Sequence, residues 1–419
     1  MGTGYVGLTT GACFAHLGHD VICADIDEEK IARLKEGQIP IVEDGLDRVV
    51  AEALSAGKIR FVVGATNASE HAEFHYLCVP TPQGSDGRAD LRFLEAAAAE
   101  IGPSLPANSV VVNKSTVPVG STEVVAKHLD RPDVRVVSNP EFLREGTAVQ
   151  DFLHPDRVVI GSSDQEAAIR VAALYSKVRA PIMVTDPVSA ETIKYASNAF
   201  LATKLSFVNA IATLCEHVGA DVNDVTLGMG YDTRIGKEFL KPGPGWGGSC
   251  FPKDVAALAR IADDYDYDFA LLREVLNVNE AQFQRTAQKV IDALGPDPSS
   301  KKVAAWGLTF KAGTDDLRES PAIEVLQRVS GSGAQVVAFD PAIPSEIPQL
   351  PLVTVESDPL VAAKNADVLV VLTEWPEFKF VDFDQLADQM RGRTVVDGRN
   401  LLDRSTLKRR NFEVIGIGR

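Results

Sequence analysis

Cysteine is scarce in this chain: five residues in 419, at positions 13, 23, 78, 215 and 250, with no CxxC pair. That scatter excludes a disulfide framework and a paired-cysteine zinc site, no metal is expected, and it fits a reducing cytoplasm. Positive charge is also short. The 42 Lys and Arg face 58 Asp and Glu, and a net charge of −16 opposes nonspecific nucleic-acid binding. An anionic ligand must therefore be held by local cations. No apolar run approaches the ~20 residues of a membrane span. The opening Met1-Gly2-Thr3-Gly4-Tyr5-Val6-Gly7 lacks the basic stretch of a signal peptide. The remaining composition, 45% hydrophobic and 24% charged, is that of a globular protein, at a length that predicts two or three domains.

Short apolar runs alternate with helical patterns through the first third. Val21–Ala24, Tyr76–Val79, Val110–Asn113, Val134–Ser138 and Val158–Gly161 are expected strands, with a helix over Leu91–Ile101. This alternation predicts βα units and a parallel sheet. A long helical stretch follows, in which Ile193, Phe200, Leu201, Leu205, Val208, Ile211, Leu214 and Val218 recur at helical spacing. Ser189 is its expected N-cap and Gly219 its stop. Phe269–Leu294 continues helical, and residues 295–300 form a linker rich in Gly, Pro and Ser. Strands then return at Val303–Gly307, Val336–Asp340, Val368–Leu372, Thr394–Asp397 and Val414–Ile417, with a helix near Ala322–Ser330. In both halves a glycine turn is followed by a helix and then by a strand ending in an acid, Asp25 or Asp340. The expected architecture is α/β, with two Rossmann-like parallel-sheet domains joined by a long central helix. Its parts are 1–188, 189–295 and 301–419.

Gly2, Gly4 and Gly7 match G-x-G-x-x-G, a turn that brings backbone close to a pyrophosphate at a helix N-terminus. Asp25 lies at the strand end about 20 residues on, where an acid binds a ribose 2′-hydroxyl and repels a 2′-phosphate. The pattern therefore favours NAD over NADP; a plain glycine turn with a solvated acid is the alternative. The motif should follow a strand, yet only Met1 precedes Gly2, so the first strand of this domain is expected to be missing from the chain.

The densest chemical signal is Gly243-Pro244-Gly245-Trp246-Gly247-Gly248-Ser249-Cys250-Phe251-Pro252-Lys253-Asp254. Glycines admit a ligand closely, Lys253 favours a thiolate, and Asp254 is placed to move a proton. A buried structural cysteine is the competing reading. Lys194 and Asn198 are one helical turn apart, a cation and an amide suited to a developing oxyanion. Ser115-Thr116 and Asn139-Pro140-Glu141 each follow an expected strand, where α/β sheets bind ligands. A hydroxyl turn and a loop salt bridge are the plainer alternatives. Arg234, Lys241, Lys311, Arg318 and Arg399 lie beside glycines or motif segments and are candidate anion contacts.

These residues resemble the nucleotide-sugar dehydrogenases of the UDP-glucose/GDP-mannose dehydrogenase family over nearly the whole chain, from the Gly2 turn to Asp397-Gly398-Arg399. The Gly-Gly-Ser-Cys-Phe-Pro-Lys-Asp string is the most specific part. The resemblance implies NAD-dependent, four-electron oxidation of the C6 alcohol of a UDP-sugar, UDP-glucose before its GDP-mannose or UDP-N-acetylhexosamine counterparts. It implies Cys250 as nucleophile, passing through a thiohemiacetal and a thioester. Lys194, Asn198 and Asp254 would surround the reacting oxygen, and Glu141 would be the base for thioester hydrolysis. Thr116 and Glu145 would lie near the nicotinamide, and Asp25 and Lys30 on the adenosine ribose. Tyr5, Val6, Thr81, Ser115, Lys253 and Arg318 would also hold the cofactor. Phe142, Leu143, Phe239, Lys241, Gly247, Lys311 and Arg399 would contact the UDP-sugar. Arg234 would reach a neighbouring subunit's site in a homodimer or higher homo-oligomer. A two-electron 3-hydroxyacid dehydrogenase needs no thiol, and a nucleotide-binding pseudoenzyme has only the missing strand in its favour.

Overall fold

The computed structural model describes Met1–Arg419 apart from His71 and residues 85–87. Two compact units emerge: residues 1–197 with 256–266, and residues 198–255 with 267–419. The helix Pro187–Val218 and the helix Phe251–Asp264 each contribute to both.

In the first unit, β1 (Val21–Asp25) and β2 (Ile59–Val63) pair in parallel. A second sheet runs β3 (Phe74–Leu77), β4 (Val110–Asn113), β5 (Arg135–Ser138), β6 (Val158–Gly161) and β7 (Ile182–Thr185), parallel except at the β5–β6 contact. Met1 and Gly2 bond to both sheets. The Met1 amine donates to Tyr76 O, Cys78 N–H donates to Met1 O, and Gly2 N–H donates to Ala24 O, each at 2.8 Å.

In the second unit the six strands are β8 (Lys302–Trp306), β9 (Gln335–Phe339), β10 (Val353–Val355), β11 (Val368–Val371), β12 (Thr394–Asp397) and β13 (Glu413–Gly416). They lie in the order β10-β9-β8-β11-β12-β13, all parallel. This is the doubly wound order of nucleotide-binding sheets, whose ligand crevice opens where the strand order reverses, here between β8 and β11. Val368–Val371 is buried throughout, as a strand covered on both faces must be. Trp306, fully buried, packs against Phe378 beneath it.

Every expected strand forms, within a residue or two of its expected bounds. The expected pattern did not include β2, β7 and β10. Each lies at a sheet edge; β2 and β10 have their apolar runs broken by Arg60 and Thr354, whereas β7 keeps an apolar run, Ile182-Met183-Val184, and is exposed. One expected cap is corrected. The long helix begins at Pro187, and the Asp186 carboxylate, rather than Ser189, accepts from the orphan N–H of Ser189 at 2.8 Å. Proline has no N–H to leave unpaired, which suits it to the first helical position. The other end stops before Gly219, which takes φ +77°.

By length and mean hydropathy alone the Pro187–Val218 helix would cross a membrane. It carries buried Glu191, Lys194, Asn198, Ser206 and Asn209, each hydrogen-bonded within the protein. Its polar positions mark it as a core helix.

Candidate dinucleotide and thiol sites

The first unit places its candidate residues at strand C-terminal ends: Asp25 on β1, Thr81 beyond β3, Ser115 and Thr116 beyond β4, and Glu141 beyond β5. The glycine turn opens the helix Tyr5–His16, whose first turn has no side-chain cap. A Cβ on Gly7 would stand 1.9 Å from Gly2 O, so Gly7 is required by the turn itself. A Cβ on Gly4 would meet nothing within 4 Å. The fold does not need that glycine for packing; the open space over uncapped N–H groups suits an anionic ligand.

Asp25 takes the Thr3 N–H at 2.7 Å, the Thr3 hydroxyl at 2.6 Å and Lys30 Nζ at 3.2 Å on Oδ2, and the Asp27 N–H at 3.2 Å on Oδ1. Burial raises its pKa, but those hydrogen bonds and the Lys30 charge outweigh it and bring the carboxyl down to about 2. An ionised acceptor therefore waits at the strand end. These residues fit a dinucleotide: the glycine turn would face its phosphates and Asp25 a ribose hydroxyl. Thr81 donates to Thr116 O at 2.7 Å and Ser115 to Val79 O at 2.7 Å, fixing the two turns beside each other.

Glu141 is buried and paired with Lys194 at 2.8 Å. It also accepts from Leu143 N–H at 2.6 Å. Burial pushes its pKa up; the charge and hydrogen bond of Lys194, the Leu143 bond and the Lys114 charge prevail and hold it below the usual carboxylate range. Phe142 lies under the Arg157 guanidinium, 3.8 Å from ring centre to charge centre, with Lys194 5.5 Å from the same ring. Lys114 is buried, bonded to Asn139 Oδ1 at 3.2 Å, and burial pulls it down to about 8.

In the second unit, Asp254 is fully buried between two candidates. Asn198 Nδ2 donates to it at 2.6 Å and Lys253 Nζ at 2.5 Å. Cys250 is half-buried, with Ser249 Oγ 3.6 Å from its sulfur. The glycine loop before it is pressed onto residues 310–319: a Cβ on Gly247 would stand 1.8 Å from Glu319 O. Arg399, beyond β12, donates to Leu372 O at 2.8 Å and Phe310 O at 3.2 Å, and its guanidinium abuts Gly243. Lys311 lies over the Phe310 ring. The structure thus packs the glycine loop, at Gly243, Gly247 and Gly248, against Arg399, Glu319 and Phe310. Phe239, at φ +60°, packs toward Phe251. Arg234 and Arg318 instead fold back onto Asp232 and Asp316, two residues earlier, and Arg234 is 86% exposed. Lys241 is exposed.

Sequence reasoning missed Glu43, Lys114, Arg157 and Glu191. Glu191 accepts from Gly120 N–H, Thr122 N–H and the Thr122 hydroxyl at 2.7–3.0 Å, capping the helix Ser121–Leu129 from a distance. Burial raises its pKa despite those bonds. None of the four belongs to a local motif; a buried charge declares itself only through distant partners.

An uncapped glycine turn with a strand-end acid, and a thiol in a glycine loop packed against the loop that follows the first strand of a second nucleotide-type sheet, are the layout of a dinucleotide-dependent oxidoreductase. Three family descriptions match the chain in order: the NAD binding domain of the UDP-glucose/GDP-mannose dehydrogenase family over residues 1–179, its central domain over 188–281 and its UDP binding domain over 304–404. The chain belongs to the UDP-glucose/GDP-mannose dehydrogenase family. It is 45% identical over 430 residues to a UDP-glucose 6-dehydrogenase of Rhizobium meliloti, covering 100% of this chain and 98% of that protein. The UDP-glucose 6-dehydrogenase TuaD of Bacillus subtilis is 42% identical, with 100% and 92% covered. The structure of a UDP-glucose dehydrogenase from Pyrobaculum islandicum is similar at a TM-score of 0.91 and 37% identity, covering 100% of this chain and 96% of that one.

Proposed function

We propose that this chain oxidises the C6 alcohol of UDP-glucose to the carboxylate of UDP-glucuronate. The observation that carries the reading is Cys250, set at the end of a glycine loop beside a buried Asp254 that Asn198 and Lys253 both hold. The full-length similarity to UDP-glucose 6-dehydrogenases supports the choice of sugar. In this reading residues 1–188 serve the cofactor, 189–295 carry the thiol loop and 301–419 hold the UDP moiety.

Bound NAD would supply the two-electron acceptor for each oxidation. The chain's own groups do the rest. The C6 alcohol would first lose a hydride and its hydroxyl proton to become the aldehyde. The Cys250 thiol would then add across that carbonyl, sulfur to carbon and proton to oxygen, giving a thiohemiacetal. Loss of a second hydride and of the new hydroxyl proton would leave the thioester, with Asp254 placed to pass each proton on. Lys194 and Asn198 donate to the developing oxyanion. Glu141, ionised, takes a proton from the water that cleaves the C–S bond, releasing the carboxylate and the Cys250 thiol. Thr116 and Glu145 line the nicotinamide side, with Lys311 and Arg399 on the nucleotide. The test is NADH yield from limiting UDP-glucose with excess NAD. Two NADH per sugar is expected; one would sink the four-electron reading.

We also propose that the chain forms a homodimer through its long helix. Phe200, Phe207 and Leu214 follow each other at seven-residue spacing and are 65%, 52% and 54% exposed. An apolar stripe at that period is suited to a second helix of the same kind. Sedimentation should give a dimer for the unmodified chain and a monomer for Phe207→Glu; an unmodified monomer at micromolar concentration would refute it.

A further inference from the structure

Glu43 lies in the connection before the helix Leu46–Ser55, far in sequence from every group it holds. The residue is 7% exposed. Oε2 accepts from the Tyr5 hydroxyl and from Gly146 N–H at 2.6 Å, and Oε1 accepts from Ala148 N–H at 2.6 Å. The Tyr5 hydroxyl also lies 3.1 Å from Arg144 O. Tyr5 is the first residue of the helix behind the glycine turn, residues 141–147 are the loop that carries Glu141 and Glu145, and Ala148 opens the helix Ala148–Leu153 that follows it. Burial, the Glu43 bond and the charges of Glu43 and Glu145 together push the Tyr5 hydroxyl far up.

We propose that Glu43 is a positioning residue that clamps the Glu141–Glu145 loop to the first turn of the dinucleotide helix, so that dinucleotide affinity and loop placement are coupled. The loop's part in turnover rests on the two-step oxidation above. The choice of side chain follows from the donors. Three N–H or O–H groups converge on two oxygens, and an amide offers one oxygen and an NH2. Glutamine at this position keeps the shape, yet must point a donor at a donor.

NAD titration calorimetry and thermal melting of the full chain test the clamp. Glu43→Gln and Tyr5→Phe should each raise the Kd for NAD at least about fivefold. The double variant should bind no more weakly than the weaker single one, because both cut one link. Glu43→Gln should also lower kcat for NADH formation. Unchanged Kd with only a lower melting temperature would overturn the proposal, and so would additive losses. Should Glu43→Gln fail to fold, Tyr5→Phe decides, since it removes one oxygen and keeps the ring. A wild-type yield of one NADH per sugar would sink the sugar chemistry and leave the NAD titration standing.

Discussion

Cys250→Ala forms no UDP-glucuronate from UDP-glucose and NAD, with turnover lowered by about 10⁴-fold or more, the scale on which removal of a covalent nucleophile acts. The substitution removes one sulfur from a half-buried position. Its surroundings depend on other groups: Trp246 N–H and O are both held by Asn279, and Trp246 Nε1 donates to Ser206 Oγ at 2.9 Å. The loop should therefore keep its form, and melting temperature and NAD affinity should stay near those of the unmodified chain. That combination separates lost chemistry from lost structure. Normal acid production by the variant would refute the nucleophile assignment.

Glu141→Gln has the second large effect, and it falls on a later step. NADH should appear in a burst of about two equivalents per active site and then slow by ~10²–10⁴-fold, the contribution of a positioned general base. Intact mass spectrometry should find the sugar nucleotide bound through Cys250. A steady rate equal to wild type, or no covalent adduct, would remove Glu141 from the hydrolysis. Stability should fall as well, because the buried Lys194 would lose the carboxylate it is paired with; breaking such a pair costs about 3–5 kcal/mol. The sign with pH follows from a folded pKa below the unfolded one. Glu141 stabilises the fold above the ordinary carboxylate range, and that contribution is lost as pH falls through its lowered pKa. The base form therefore persists through mildly acidic solution.

Much of this was legible from local pattern. β4, β6 and β12 have the bounds their apolar runs predict, since central strands read as continuous hydrophobic stretches. The glycine turn, Asp25 and the Cys250 loop are each contiguous or regularly spaced. The arginines divide by their surroundings rather than by their spacing. Asp90-x-Arg92, Asp232-x-Arg234 and Asp316-x-Arg318 all close onto the acid two residues earlier. Asp397-x-Arg399 has the same spacing, but its acid is buried beneath Leu402 N–H and its guanidinium turns to Leu372 and Phe310. Nothing in the tripeptide distinguishes it; the difference lies in what surrounds the strand end. Glu43 was illegible for a related reason. Its partners stand 38 to 105 residues away, and a lone acid in a loop is ordinarily solvated.

The repeated strand-end acid is more enclosed in the second sheet. Asp340 is buried, and its Oδ2 accepts from Leu308 N–H, Thr309 N–H and the Thr309 hydroxyl at 2.7–3.1 Å and from Trp375 Nε1 at 3.1 Å. Asp25 likewise holds its own turn through the Thr3 N–H and hydroxyl, but the second sheet adds the Trp375 indole, while a side chain at Gly4 would meet open space. The proposed reaction would bring two oxidant molecules per sugar to the open turn at Gly4. They must arrive in succession, and the half-finished sugar has to wait through the changeover. A sulfur–carbon bond is a mooring that survives the wait.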